Sequence, residues 1–224
     1  DFQLNFAIEE ALTKPQTFTE GVSRLYYTLA QDFLYENAYN NVIFLDNHDK
    51  TRIFSTIGKD KNKLKSAIGL LMTLRGIPSM YYGTELMFEG EANPDGKVRQ
   101  DFPGGWIEDK VNKFNRDGRN KKENEIYNYV RNLANYRKEN SVLQTGKFKH
   151  FIPENGVYVY FRYNDRKTVM VVLNTSDKKQ NITLDRYKEM IKNHTQAKEI
   201  PSGKIIELND LSIDKSIIFV MELI

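Results

Sequence analysis

The sequence predicts two architectures joined end to end, an α/β segment followed by an all-β segment. Three observations carry that reading. The first part alternates short apolar runs with stretches of helical spacing, the pattern of a parallel sheet covered by helices. After Ser141 the texture changes to β-branched and aromatic runs separated by turn-forming pieces, the pattern of an antiparallel sheet. Between them Glu85 to Asn120 is long, polar and glycine-rich, and a loop of that length is usually functional or disordered. The boundary is expected near residues 141–146, and we divide the chain into 1–142 and 143–224.

Each element has its own signal. Asp1 to Phe6 leads into a short helical pattern, Ala7 to Leu12. Val22 to Tyr35 repeats apolar residues at helical spacing, with Thr19 and Gly21 where a helix start would stand. Val42 to Leu45 is a run of four apolar residues bounded by polar ones, which predicts a strand buried on both faces. Lys61 to Leu74 is amphipathic, with Leu64, Ala67, Ile68, Leu71 and Met72 on one face. Arg75 and Gly76 suit its end, a cation in the last turn and a glycine after it. Ile77 to Gly83 is a second apolar strand closed by a glycine turn. Glu123 to Asn140 carries Ile126, Tyr129, Val130, Leu133 and Tyr136 on one stripe. In the second segment Val157–Phe161, Val169–Leu173, Lys204–Leu208 and Ser216–Leu223 read as strands. No internal repeat or low-complexity tract is found.

Composition narrows the function classes. Among 224 residues the net charge is +3, with lysines scattered among acids, so nucleic-acid binding is not implied. Mean hydropathy is −0.60 and no run approaches ~20 apolar residues, so no membrane span is expected. With no cysteine, disulfides, zinc–thiolate sites and cysteine nucleophiles are excluded. The chain begins at Asp1 without an initiator methionine or a signal-peptide pattern, and is expected to be processed or cut.

The most informative run is Phe44-Leu45-Asp46-Asn47-His48-Asp49. Polar side chains at the carboxyl end of a buried strand stand where barrel and open α/β enzymes keep their active sites. Asp49 and His48 could act on a ligand or cap the following turn. A metal is a further reading, but one His and one Asp do not complete a coordination shell. Tyr81 and Tyr82 suit either rim packing or a platform for a ligand. Trp106, in a polar glycine-rich loop, could stack on a ligand ring or anchor the loop. Arg99 and Asp101 could contact a ligand or only each other. Glu85 is expected to be structural. His150 and His194 receive no role, and the lysine-rich pieces 59–65 and 188–198 read as solvated faces.

FLDNHD followed by Arg52 resembles the seventh-strand motif of the α-amylase superfamily of (β/α)8 glycoside hydrolases. Gly76 to Glu85, GIPSMYYGTE, resembles that family's eighth strand and its turn. Val98 to Trp106 is similar to the neopullulanase and cyclomaltodextrinase branch, particularly the starch-utilising enzymes of gut bacteria, and Asp1-Phe2 with Leu4 resembles the segment after the sixth strand there. The resemblance covers the whole chain. It implies the last two or three βα units of a (β/α)8 barrel followed by an antiparallel β-sandwich domain.

The resemblance also implies roles. Asp49 would be the carboxylate that binds the distorted sugar more strongly in the transition state. His48 would hydrogen-bond the same sugar, with Asn47, Tyr82, Arg99, Asp101 and Trp106 as further substrate contacts; Asn47 and Asp46 would more readily hold the loop. The nucleophilic aspartate and the acid/base glutamate come from the fourth and fifth strands, before this chain begins. A retaining glycosidase needs both, about 5–5.5 Å apart. The chain is therefore expected to belong to a hydrolase of α-1,4-glucans yet to be inactive alone. The alternatives are a non-catalytic starch-binding piece and a structural remnant. The partners implied are an α-glucan oligosaccharide and either the rest of the barrel or a second copy covering the open side. No cofactor is expected. Calcium is possible in the parent, with its ligands upstream. The relatives imply a periplasmic or extracellular location.

Overall fold

A computed structural model describes residues 1–209 and 211–224. The first segment runs α1 (Phe2–Thr13), α2 (Val22–Ala30), β1 (Val42–Phe44), α3 (Ile53–Thr56), α4 (Lys61–Thr73), β2 (Ile77–Ser79), α5 (Lys121–Glu139) and α6 (Ser141–Gln144). The second contains β3 (Lys147–His150), β4 (Val157–Tyr163), β5 (Thr168–Asn174), β6 (Gln180–Ile182), α7 (Lys188–Ile191), β7 (Gln196–Glu199), β8 (Ile205–Glu207), β9 (Leu211–Ile213) and β10 (Ile217–Leu223). The division at 142/143 falls inside α6. No helix among the described residues is long and apolar enough to cross a membrane.

β1 and β2 pair in parallel, with Val42 opposite Ile77 and Phe44 opposite Ser79. Gly76 makes the approach possible: at φ +101°, a Cβ there would stand 2.7 Å from the Asn41 carbonyl oxygen. Only one face of the pair is covered. Ile43 is fully buried, whereas Val42 and Ile77 are 48% and 53% exposed. The expectation of a strand buried on both faces therefore fails at Val42, because among the described residues no layer lies over that side.

The second segment is a six-stranded sheet, ordered β3-β4-β5-β10-β7-β8, with the pair β6-β9 packed across one face. Alternate residues divide between two cores, as strand geometry requires. Tyr158, Tyr160, Val171 and Val220 join one core with α1, α2, α4 and α5. Val159, Phe161, Val172 and Met221 face Ile182, Leu211 and Ile213 instead. The central strands are thus buried on both sides, and one continuous core crosses from barrel helices to sheet.

Several sequence expectations shift. α1 begins at Phe2, because the Asp1 carboxylate caps it by accepting from the Leu4 N–H. α2 stops at Ala30, and Asp32–Leu34 forms a separate 3₁₀ turn. The end of α4 is not capped by Arg75, which pairs with Asp1 and Asp32. Its carbonyls are met from elsewhere. Arg137 donates to Met72, Leu74 and Gly76, and Arg162 donates to Thr73. The lysine-rich piece 188–198 is not simply a solvated face: it holds α7 and most of β7, whose Ala197 is buried.

Candidate active site

The loop after β1 carries the FLDNHD run, and its polar residues divide by burial. Asp46 is buried, accepting from the Ile53 N–H at 2.9 Å and from Thr84 Oγ1 at 3.0 Å. It therefore ties the end of β1 to α3 and to the turn after β2. Burial pushes its carboxyl above the usual range, and the two hydrogen bonds oppose that rise. Asn47 Oδ1 accepts from the Asp49 N–H at 2.9 Å, an Asx turn that sends the next residues outward. Asn5 of α1, a residue the sequence reading passed over, donates to the carbonyls of Phe44 and Leu45 at 3.0 and 2.7 Å. Its only sequence signal was a polar residue on a buried helix face.

His48 and Asp49 are exposed and face each other, with Nε2 3.1 Å from Oδ2. Arg99 reaches across from the long loop. Its Nε donates to the His48 carbonyl at 3.0 Å, and its Nη2 lies 3.3 Å from Asp49 Oδ1 and 3.2 Å from Asp95. Of the two readings open for Arg99 and Asp101, mutual pairing is not found: Asp101 is exposed, and Arg99 pairs with Asp49 and Asp95 instead. The Tyr82 hydroxyl donates to the Gln100 carbonyl at 2.6 Å, a second tie between the β2 turn and the long loop.

Beneath these groups lies Arg52, which the structure buries completely. Its guanidinium stacks 4.1 Å from the centroid of Tyr81 and 4.9 Å from that of Tyr82, and Nη1 donates to the Tyr82 carbonyl at 2.6 Å. Its Nε and Nη2 have no described partner, nor has Glu85 Oε2. Burial raises the Glu85 carboxyl above its ordinary value. An aromatic series continues from Tyr82 through Phe88 and Phe102 to Phe114. At the end of that arm Trp106 is 65% exposed, so it is not packed as a loop anchor.

The structure thus brings His48, Asp49, Asn47 and Arg99 together, sets Tyr82 beside them, and leaves Asp101 and Trp106 outside that cluster. Among the described residues no group of three or more His, Asp and Glu could hold a metal ion. A cleft of about 440 Å³ between α4, α5 and β10, lined by Lys65, Tyr129 and Phe219, contains none of these residues. Asp49 and His48 stand exposed just beyond the carboxyl end of β1.

Residues 1–146 match the family described as the α-amylase catalytic domain. This chain belongs to that family. Residues 148–222 match the cyclomaltodextrinase C-terminal domain, so a portion of the catalytic domain is followed by that β domain. Among curated relatives, a maltogenic α-amylase of Bacillus acidopullulyticus is 28% identical over 88% of this chain and 32% of its own length. A cyclomaltodextrin glucanotransferase of Geobacillus stearothermophilus is 30% identical over 63% of this chain and 17% of its own. Among solved structures, a three-domain cyclomaltodextrin glucanotransferase superposes with TM-score 0.77 at 26% identity, over 99% of this chain and 43% of that one. An α-amylase of Geobacillus thermoleovorans complexed with acarbose gives TM-score 0.77 at 23% identity, covering 100% of this chain and 47% of that one. The chain thus spans less than half the length of these family members.

Proposed function

We propose that this chain contributes the seventh- and eighth-strand side of an active site for retaining hydrolysis of starch-derived α-glucans, and that it does not turn over substrate alone. The observation that carries the reading is the exposed Asp49–His48 pair at the carboxyl end of a parallel strand, beside an uncovered barrel face. Retaining chemistry needs a nucleophile and an acid/base about 5–5.5 Å apart. In this reading both come from strands that complete the wall across β1 and β2. Asp49 then binds hydroxyls of the distorted sugar, gaining most where the ring flattens, and so lowers the barrier. His48 donates to the same ring. Arg99 holds Asp49 and the His48 carbonyl in register, Asn47 sets the turn, and Tyr82 fixes the long loop. Trp106 offers a stacking face farther along the glucan, and exposed Asp101 a hydroxyl contact.

A second reading, glucan binding without cleavage, is favoured by the exposed Trp106 indole. The partner is an α-glucan oligosaccharide, with the open strand pair covered by the rest of a barrel or a second copy. A periplasmic or extracellular location belongs to the same proposal, and cell fractionation would test it.

Because Trp106 is the only tryptophan, maltoheptaose binding is readable in its fluorescence. The expected result is a saturable change that weakens on Asp49→Ala, and binding to Trp106→Ala, followed by calorimetry, is expected to be weaker than to the unaltered chain. An affinity indifferent to Asp49, His48 and Trp106 would sink the placement.

A further inference from the structure

The turn that carries Trp106 is held by one carboxylate. We propose that Asp109 is a positioning residue that fixes the Trp106 indole as a ready-made stacking face for a glucosyl ring, a proposal that rests on the glucan reading above. Asp109 Oδ2 accepts from the Gly104 N–H at 2.6 Å and the Trp106 N–H at 3.1 Å. The Asp109 N–H in turn donates to the Trp106 carbonyl at 3.2 Å. The carboxylate and its own backbone thus grip both peptide groups of the residue whose side chain is to be aimed. These backbone donors, Trp106 first, hold the Asp109 carboxyl below its ordinary range, which agrees with an ionised acceptor there.

The base of the turn is equally constrained. Gly104 sits at φ +104°, and a Cβ there would stand 2.5 Å from Asn112 Oδ1 and 2.7 Å from Asn112 Cα. Only glycine lets the two arms close that far. The Lys113 N–H donates to the Pro103 carbonyl at 2.9 Å, and the Phe102 and Phe114 rings stack at 4.4 Å. A loop ordered before binding has less freedom to lose when a sugar stacks on it, and preorganisation of this kind raises affinity without a new contact. Asp109 touches neither Asp49 nor His48. Its action is on the aim of the indole alone.

The test uses the 224-residue chain, in which the single tryptophan makes fluorescence report on this turn only. Asp109→Ala is expected to lower the indole's anisotropy, raise its quenching by acrylamide and weaken maltoheptaose binding. The thermal-unfolding midpoint should hold, since Asp109 is exposed. Asp109→Asn keeps an acceptor oxygen and is expected to restore most of both fluorescence readouts and the affinity. Unchanged anisotropy in Asp109→Ala, or no rescue in Asp109→Asn, overturns the proposal whatever happens to binding. If the anisotropy falls but affinity stays, the indole is held by Asp109 yet takes no part in glucan binding; that outcome overturns the stacking role and, with it, the place of Trp106 in the glucan site.

Discussion

The seam between helices and sheet and the open strand pair use similar residues to opposite ends. At the seam, α4 lies between α5 and β10 with its side chains buried from Ser66 to Thr73. Its last carbonyls are answered by Arg137 of α5 and Arg162 of β4, so two elements distant in sequence close one helix end. Thr73 and Tyr160 share a hydrogen bond across the same boundary. On the β1–β2 pair, Val42 and Ile77 are about half exposed, and two guanidinium nitrogens of the nearby buried Arg52 have no partner among the described residues. The difference teaches that the β domain is not an appendage. It completes the core on one side of the helices, while the strand pair on the other side leaves apolar surface and polar demand for something else to meet.

Breaking the seam should cost most. Arg137→Ala leaves the carbonyls of Met72, Leu74 and Gly76 without their donor in a buried setting, and is expected to cost about 4 kcal/mol in urea denaturation. Next comes Ile43→Ala on the covered side of β1. That residue is fully buried, and the expected loss is about 3 kcal/mol by the same assay.

A smaller effect should follow pH. His150 of β3 stacks against Tyr26 of α2 at 4.6 Å and meets the Tyr158 hydroxyl at 2.7 Å. Burial lowers its pKa to about 4 from 6.5. Below pH ~6.5 the unfolded chain takes up a proton that the folded chain refuses, so stability falls as pH drops from ~6.5 toward 4. With the ring partly exposed, the loss is on the order of 1–2 kcal/mol. His150→Gln should flatten the unfolding midpoint across that window. The smallest effect is expected next door to Ile43: Val42→Ser should change stability by no more than about 0.5 kcal/mol, because that side chain already faces outward. Equal losses at 42 and 43 would mean that something covers the open face in solution.

These contrasts also mark what the sequence could say. The stripe Leu64–Ala67–Ile68–Leu71–Met72 and the strands at 157 and 169 were legible because periodicity and apolar runs are local signals. The strands Lys147–His150, Gln180–Ile182 and Gln196–Glu199 were not, being three or four residues long with one apolar side chain each. Pairing with neighbours, rather than propensity, makes them strands. The site was half legible. The FLDNHD run brought out His48 and Asp49, and the 98–106 run brought out Arg99, which do meet; Asp46 the structure turns inward. The partnership of Arg99 with Asp95 rather than Asp101, and the grip of Asp109 on Trp106, depend on how a long loop folds back. No spacing rule in one sequence carries that.

The most direct measurement is reducing-sugar release from maltoheptaose by a sample whose mass spectrum contains only the 26.2 kDa chain. No turnover is expected while binding persists, because in the proposed reading Asp49 supplies one carboxylate of a site whose nucleophile and acid/base come from other strands. Turnover by this chain alone would mean that carboxylates within it do the chemistry, and would contradict the assignment of Asp49 as a lone contributor.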